Sequence, residues 1–276
     1  MKGDTDILPV RPIGHNTINF NEKGLIMADH QISVQLYSLR EALGKDLAGT
    51  LGKLSATGFR YVEPAGYCGL TAAEFARELE KAGLQAPSIH GALPVGDDCE
   101  RIIEEAQALG VRYLITGGPA GGWDSWKTSD SIRQQAELYS QAAANAAPHG
   151  IKVGFHNHDM EMQEIDGEPA YRIFLAAAAP EVLWTVDTYW VQVGGRNPVE
   201  VIREAGSRSK VVHIKDGPGV KGQPMLAAGE GVMDFPPIIA AAEHAEYLCI
   251  ELDSCATDMM EAVVKSFRYL QQQIED

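Results

Sequence analysis

The chain is poor in cysteine, in basic residues and in long apolar runs. It has 4 cysteines among 276 residues, and no two of them form a CxxC pair. Disulfide scaffolds and structural zinc sites need closely spaced cysteines, so we interpret these as reduced thiols. No apolar run approaches the roughly 18 residues of a membrane helix, and the first residues lack the charged-then-apolar order of a secretory signal. We therefore expect a cytoplasmic protein with no membrane partner.

Positive charge is scarce as well. Lys and Arg total 23 against 38 Asp and Glu, which gives a formal net charge of −15. A nucleic-acid binder clusters Lys and Arg against backbone phosphates, and here no basic run offsets the acidic excess. We therefore expect no nucleic-acid partner.

From residue 32 onward, short β-rich runs alternate with longer amphipathic stretches. The runs lie at residues 32–37, 59–64, 85–90, 111–116, 151–156, 182–187, 210–215 and 247–252. Helical patterns between them, such as residues 71–83 and 99–110, end at a glycine where a helix C-cap is expected. This alternation predicts a parallel sheet, and eight units predict an α/β fold of the (β/α)8 TIM-barrel type.

The N-terminal residues do not follow this pattern. Residues 1–26 contain Pro, Gly and Asn without periodicity, whereas regular alternation follows Met27. We therefore divide the chain into an N-terminal extension, residues 1–26, and a single barrel domain, residues 27–276. Because the extension supplies no predicted strand, we expect fold and activity to survive its removal. The alternative is an arm that packs on the domain or on a partner subunit.

Polar side chains stand at the predicted C-terminal strand ends, where TIM barrels carry their active sites. They are Gln35, Tyr37, Glu63, His90, Thr116, His156, His158, Asp187, His213, Lys215 and Glu251. One His or Glu at a strand end is often an ordinary rim residue. So many together indicate a functional pocket.

Asp187, His213 and Glu251 belong to three consecutive predicted strands, so they should converge at the mouth of the barrel. Burying two carboxylates side by side is costly unless a cation compensates them. A mixed oxygen and nitrogen ligand set suits Mn²⁺, Mg²⁺, Co²⁺ or Zn²⁺ rather than an ion that selects thiolates. The sequence therefore predicts one bound divalent metal ion, with manganese as the first choice.

The segments around these residues resemble the xylose-isomerase-like TIM barrels, which group sugar isomerases and epimerases, inosose dehydratases and endonuclease IV. The resemblance covers residues 32 to about 270 and rests on VQLYSLR, HNHDMEM, VDTYW, VHIKD, GEGVMDF and IELD, in that order. That family typically holds one divalent metal with Glu, Asp, His and Glu from strands 5 to 8. The resemblance implies metal roles for Asp187, His213 and Glu251, and a small sugar or keto-sugar as substrate. Family members are commonly dimers or tetramers, which allows a homo-oligomer.

Strand 5 departs from the family pattern, because His156 stands where the family has Glu. Either His156 binds the ion, or Glu161 supplies the missing carboxylate; we favour Glu161, since it restores the ligand set. Endonuclease IV resembles this chain in fold but uses extra zinc-binding histidines, one of them three residues after the strand-6 Asp. Trp190 occupies that position here. Together with the acidic charge, this disfavours a nuclease.

Metal-assisted sugar chemistry removes a proton next to a carbonyl, with the ion as Lewis acid. His156 and His158 alternate along one extended segment, so they share a face and either one suits the role of base. Lys215 shares a face with His213 and is predicted to stabilise an oxyanion or anchor a hydroxyl; the alternative is a structural pair with a nearby carboxylate. The predicted substrate contacts are Gln35, Glu63, His90 and, as an apolar wall, Trp190.

The leading hypothesis is a metal-dependent isomerase or epimerase, or a lyase or hydratase, with a preference for the branch that acts on 3-keto-glycosides. The HNHDxE segment and Trp190 resemble that branch. A non-catalytic sugar-binding barrel is the rival hypothesis, since it needs the pocket but not the convergent Asp, His and Glu.

Overall fold

A computed structural model describes residues 19–20, 26–27 and 30–275 and contains one barrel of eight parallel strands. The strands are β1 (Gln31–Gln35), β2 (Tyr61–Glu63), β3 (Ser88–His90), β4 (Tyr113–Thr116), β5 (Lys152–His156), β6 (Leu183–Asp187), β7 (Val211–Ile214) and β8 (Tyr247–Ile250). Each predicted run overlaps one of them. The predicted TIM barrel is confirmed.

The sheet closes where β2 and β3 meet, by backbone hydrogen bonds between each strand and residues next to the other. Strands that follow one another in the chain are neighbours in the sheet, and β8 pairs with β1. At the closure, Val62 N donates to Gln85 O at 2.9 Å and His90 N donates to Pro64 O at 2.8 Å. All eight C-terminal strand ends therefore face one mouth.

Within the described residues, eight helices surround the barrel. They are α1 (Leu47–Thr57), α2 (Ala72–Ala82), α3 (Cys99–Leu109), α4 (Ser129–Ala146), α5 (Ala170–Ala177), α6 (Pro198–Ala205), α7 (Phe235–Ala241) and α8 (Met259–Glu275), with two short helices, Arg40–Lys45 and Thr188–Val193, before α1 and α6. Helix α2 begins with a capping box of Thr71 and Glu74 and ends at Gly83, whose φ of 72° favours glycine. None of the described helices is long and apolar enough to cross a membrane.

Alternation along each strand separates an outer core from the barrel interior. In β6, Trp184 packs outward against Phe155 of β5, with ring centroids 5.3 Å apart. Leu183 belongs instead to a buried interior cluster with residues of β4, β7 and β8. Because side chains two residues apart share a face, Asp187 follows Leu183 on the inward side. The interior is thus apolar at the bottom and polar at the mouth.

A buried carboxylate organises the loop between β7 and α7. Asp216 accepts backbone N–H bonds from Gly217, Gly229, Gly231 and Met233 at 2.8 to 3.1 Å. A Cβ atom at Gly231 would lie 2.1 Å from Asp216 Oδ1, so this close approach requires glycine. The loop is therefore built around one side chain beside the mouth.

Most of the predicted N-terminal extension, residues 1–26, lies outside the described residues. Asn19–Phe20 pairs with Ile26–Met27 in a short antiparallel ladder. Our expectation that the extension is dispensable therefore stays a prediction.

Candidate metal centre

Four side chains converge at the C-terminal end of the barrel. His156 ends β5, Asp187 ends β6, His213 lies in β7 and Glu251 directly follows β8. One nitrogen or carboxylate oxygen from each lies within 4.8 Å of the corresponding atoms of the other three, and all four residues are buried. We call these residues the ligand group.

The contacts within the ligand group join nitrogen to oxygen. His156 Nε2 lies 3.1 Å from Asp187 Oδ2 and 3.7 Å from Glu251 Oε2. His213 Nδ1 lies 2.7 Å from Glu251 Oε2. Two imidazoles and two carboxylates are a donor set that suits Zn²⁺, Mn²⁺ and Co²⁺. The residues present therefore fit a divalent ion.

The charge balance at the ligand group also favours a cation. Lys215 Nζ lies 3.0 Å from Asp187 Oδ2, 2.9 Å from Glu251 Oε2 and 3.0 Å from Asp253 Oδ2. Burial acts to lower the pKa of His213, but Glu63 and Glu251 outweigh it and hold that pKa well above its usual value. Two positive groups, Lys215 and His213, then face four carboxylates, which leaves 2 − 4 = −2, a charge that a divalent ion balances. The carboxylates are those of Asp187, Glu251, Asp253 and Glu63. The carboxylate pairing that we considered for Lys215 is thus present, and its role at an oxyanion stays a prediction.

Burial and neighbouring charges shift the pKa values of the ligand group in different directions. Burial raises the pKa of Asp187 to about 6, although the charge of Lys215 opposes the shift. Burial also acts to raise the pKa of Glu251, but Lys215 and the His213 hydrogen bond outweigh it and hold that pKa well below its usual value. Burial lowers the pKa of His156 well below its usual value, which favours the neutral imidazole that binds metals.

Glu161 lies outside the ligand group. Its buried carboxylate accepts the backbone N–H of His158 at 2.7 Å, within the loop that follows β5. Burial raises the pKa of Glu161 to about 7, although backbone N–H bonds oppose the shift. Its other oxygen, Oε1, is buried without a hydrogen-bond partner. The ligand group favours His156 as the fourth ligand, whereas the sequence favoured Glu161, and the choice stays a prediction.

His158 lies between the ligand group and two tryptophans at the mouth. Its ring centroid is 5.0 Å from that of His156, 4.9 Å from Trp123 and 6.2 Å from Trp190. Lys215 Nζ lies 5.7 Å from the centre of the Trp190 ring. The structure therefore brings both predicted histidines, Lys215 and the predicted aromatic wall together.

The other predicted substrate contacts lie deeper in the barrel. Gln35 is buried, and its Oε1 accepts the backbone N–H of Tyr37 at 2.5 Å. Glu63 is fully buried on the side of the His213 ring opposite Glu251. The His90 ring stacks on that of His213, with centroids 5.2 Å apart. The side-chain contacts of Gln35 and Glu63 are therefore to protein groups.

A family model described as xylose isomerase-like TIM barrel matches residues 51–273. The chain belongs to this family. Two solved structures of sugar phosphate isomerase/epimerases from Parabacteroides distasonis are similar to it. One is 24% identical, with a TM-score of 0.74, and the match covers 88% of this chain and 94% of the other. The second is 26% identical, with a TM-score of 0.72, and the match covers 88% of this chain and 98% of the other. The IolI protein with a bound zinc atom, 14% identical, has a TM-score of 0.69 over 89% of this chain and 98% of its own. No curated protein matches the chain.

Three residues of this xylose isomerase-like barrel support the site but escaped the sequence analysis. Asp253, which pairs with Lys215, follows Glu251 by two residues. Because side chains two residues apart on an extended segment share a face, the sequence could have indicated that Asp253 lies beside Glu251. Asn157 accepts the backbone N–H of Asp187 at 3.0 Å and donates to the Asp187 carbonyl at 3.3 Å. No sequence pattern predicts this role. Ser88 donates to Glu63 at 2.5 Å.

Proposed function

We propose that this protein is a divalent-metal-dependent enzyme that acts on a sugar or keto-sugar by moving a proton next to a carbonyl. The observation that carries the proposal is the convergence of His156, Asp187, His213 and Glu251 at the mouth of the barrel. A sugar-binding barrel without catalysis has no need for this buried, negatively charged group. When bound, the ion supplies a Lewis acid that polarises the substrate carbonyl.

His158 is the histidine that we assign as the proton carrier. His156 belongs to the ligand group. The His158 ring contacts the His156 ring on the side of the mouth, and His158 is only partly buried. A sugar seated against Trp190 would place a C–H bond next to its carbonyl within reach of the His158 imidazole. Lys215, close to the same tryptophan, would stabilise negative charge that develops on the substrate oxygen.

Isomerisation or epimerisation is the reaction class that we propose first. The two Parabacteroides structures, which are described as sugar phosphate isomerase/epimerases, support it. Elimination or hydration of a 3-keto-glycoside begins with the same proton transfer, so we retain it as the alternative. Manganese stays our first choice of ion, and the zinc atom in IolI supports zinc as the second. The cytoplasmic location and the homo-oligomer stay predictions.

Hydrogen exchange in heavy water tests the proposal. Protein purified with its metal and protein stripped by chelation are incubated in D₂O with ketoses and 3-keto-glycosides, and deuterium at the carbon next to the carbonyl is followed by NMR. We expect metal-dependent exchange that falls by roughly two or more orders of magnitude in His158→Gln. Exchange at the wild-type rate in His158→Gln would exclude this base. Metal binding without exchange on any keto-sugar would favour the sugar-binding barrel.

A further inference from the structure

We propose that Glu63 is a positioning residue: it holds the His213 ring so that Nδ1 faces the ligand group, and it does not bind substrate. The inference rests on the metal centre of the proposed function. It concerns β2, which contributes no member of the ligand group.

Both carboxylate oxygens of Glu63 are engaged inside the protein. Oε1 lies 2.9 Å from His213 Nε2, and Oε2 accepts the hydroxyl proton of Ser88 at 2.5 Å. The Glu63 side chain is fully buried. A carboxylate with both oxygens occupied and no exposed surface is poorly placed to bind a sugar hydroxyl, so its partner is His213.

The two nitrogens of His213 face different partners. Nδ1 lies 2.7 Å from Glu251 Oε2, within the ligand group, whereas Nε2 faces Glu63. A neutral imidazole carries one proton, and the nitrogen without it is the one that binds a metal. Without an ion, both nitrogens lie at hydrogen-bond distance from a carboxylate oxygen, so both can donate. An ion at the ligand group would displace the Nδ1 proton, whereas Nε2 would keep the proton that Glu63 accepts. Metal-bound histidines commonly donate their second N–H to a carboxylate, which fixes both tautomer and ring orientation.

His90 limits rotation of the same ring. Its plane lies at 9° to that of His213, with centroids 5.2 Å apart, and its Nε2 is 3.2 Å from Glu63 Oε1. One carboxylate oxygen thus lies beside both stacked imidazoles. Removing the carboxylate would free His213 to turn and would leave its Nε2 proton without the acceptor that selects the tautomer.

Zinc affinity tests this role without any substrate. Zn²⁺ is titrated into chelator-stripped protein against a chromophoric competitor, for wild type, Glu63→Ala and Glu63→Gln. We expect about 10- to 100-fold weaker binding in Glu63→Ala and a smaller loss in Glu63→Gln, whose amide oxygen can still accept the Nε2 proton. Glu204→Gln is the matched control, because Glu204 of α6 pairs with Arg172 and Tyr171 of α5 and has no contact with the ligand group. We expect wild-type affinity in this control.

A measurement on the unaltered protein covers the case in which Glu63→Ala fails to fold. The ¹⁵N spectrum of histidine-labelled, Zn²⁺-loaded wild type, assigned with His213→Gln, should show His213 protonated at Nε2 and coordinated at Nδ1. Coordination at Nε2, or unchanged zinc affinity in folded Glu63→Ala, would overturn the inference and leave the proposed function standing. Absence of zinc binding by wild type would overturn both. If Glu63→Ala binds zinc more weakly but the wild type exchanges no keto-sugar proton, the role of Glu63 is supported and the proposed enzymatic activity is refuted.

Discussion

The identity of the fourth metal ligand gives the sharpest prediction, because two residues of one segment compete for the role. His156 Nε2 lies 3.1 Å from Asp187 Oδ2 in the ligand group, whereas Glu161 accepts a backbone N–H bond outside it. We therefore expect His156→Ala to lose the metal and Glu161→Gln to keep it.

The expected magnitudes follow from what each side chain contacts. Loss of a residue that only orients a ligand costs about 10- to 100-fold in metal affinity, so loss of His156 itself should cost at least about 100-fold. At about 1.4 kcal/mol per factor of ten, this is about 2.8 kcal/mol of binding free energy. In Glu161→Gln the amide oxygen can still accept the His158 N–H, so we expect a change below about threefold, less than 1 kcal/mol.

Calorimetric titration of Mn²⁺ and Zn²⁺ into chelator-stripped protein measures both affinities. Thermal unfolding of the stripped variants is the control, since a variant that no longer folds would lose metal for another reason. The reverse outcome, in which folded His156→Ala binds metal as wild type does and Glu161→Gln does not, would refute the geometric argument and restore the carboxylate ligand set of the family.

Three further predictions concern stability. Lys215→Met leaves buried carboxylates without their ammonium and should destabilise stripped protein by about 3–5 kcal/mol in urea unfolding, with a smaller loss once metal is added; an equal loss in both states would contradict the charge argument. Asp216→Ala leaves four backbone N–H groups without their acceptor and should cost at least about 2 kcal/mol; wild-type stability would show that the loop has other support. Gly154→Ala places a Cβ atom 2.7 Å from Leu183 Cβ in the neighbouring strand and should lower stability by about 1–3 kcal/mol. An unchanged urea midpoint would mean that β6 shifts to make room for the added Cβ atom.

The alternation of strands and helices was predictable because it depends on local chemistry. Side chains two residues apart share a strand face, so the order Leu183, Thr185, Asp187 encodes a strand that is apolar at its start and acidic at its end. The same pattern predicts the inward placement of His213 and Glu251. The capping glycines marked the helix ends for an equally local reason, since few other residues adopt a positive φ.

The contacts across the barrel interior depended on closure. Glu63 and His213 are 150 residues apart, and their strands are separated in the sheet by β1 and β8. Sequence reasoning placed Glu63 at a strand end facing the pocket, but it could not show that this carboxylate is buried and contacts Nε2 of His213.

The eight-stranded barrel and the three residues of β6, β7 and β8 that converge at its mouth were predictable from the sequence, because strand periodicity and strand order are sufficient for both. The folded barrel places His156 rather than Glu161 in the ligand group and places Glu63 in contact with His213. The path of a loop and the stagger of strands around a closed barrel arise from packing of the whole chain, and no short segment encodes them.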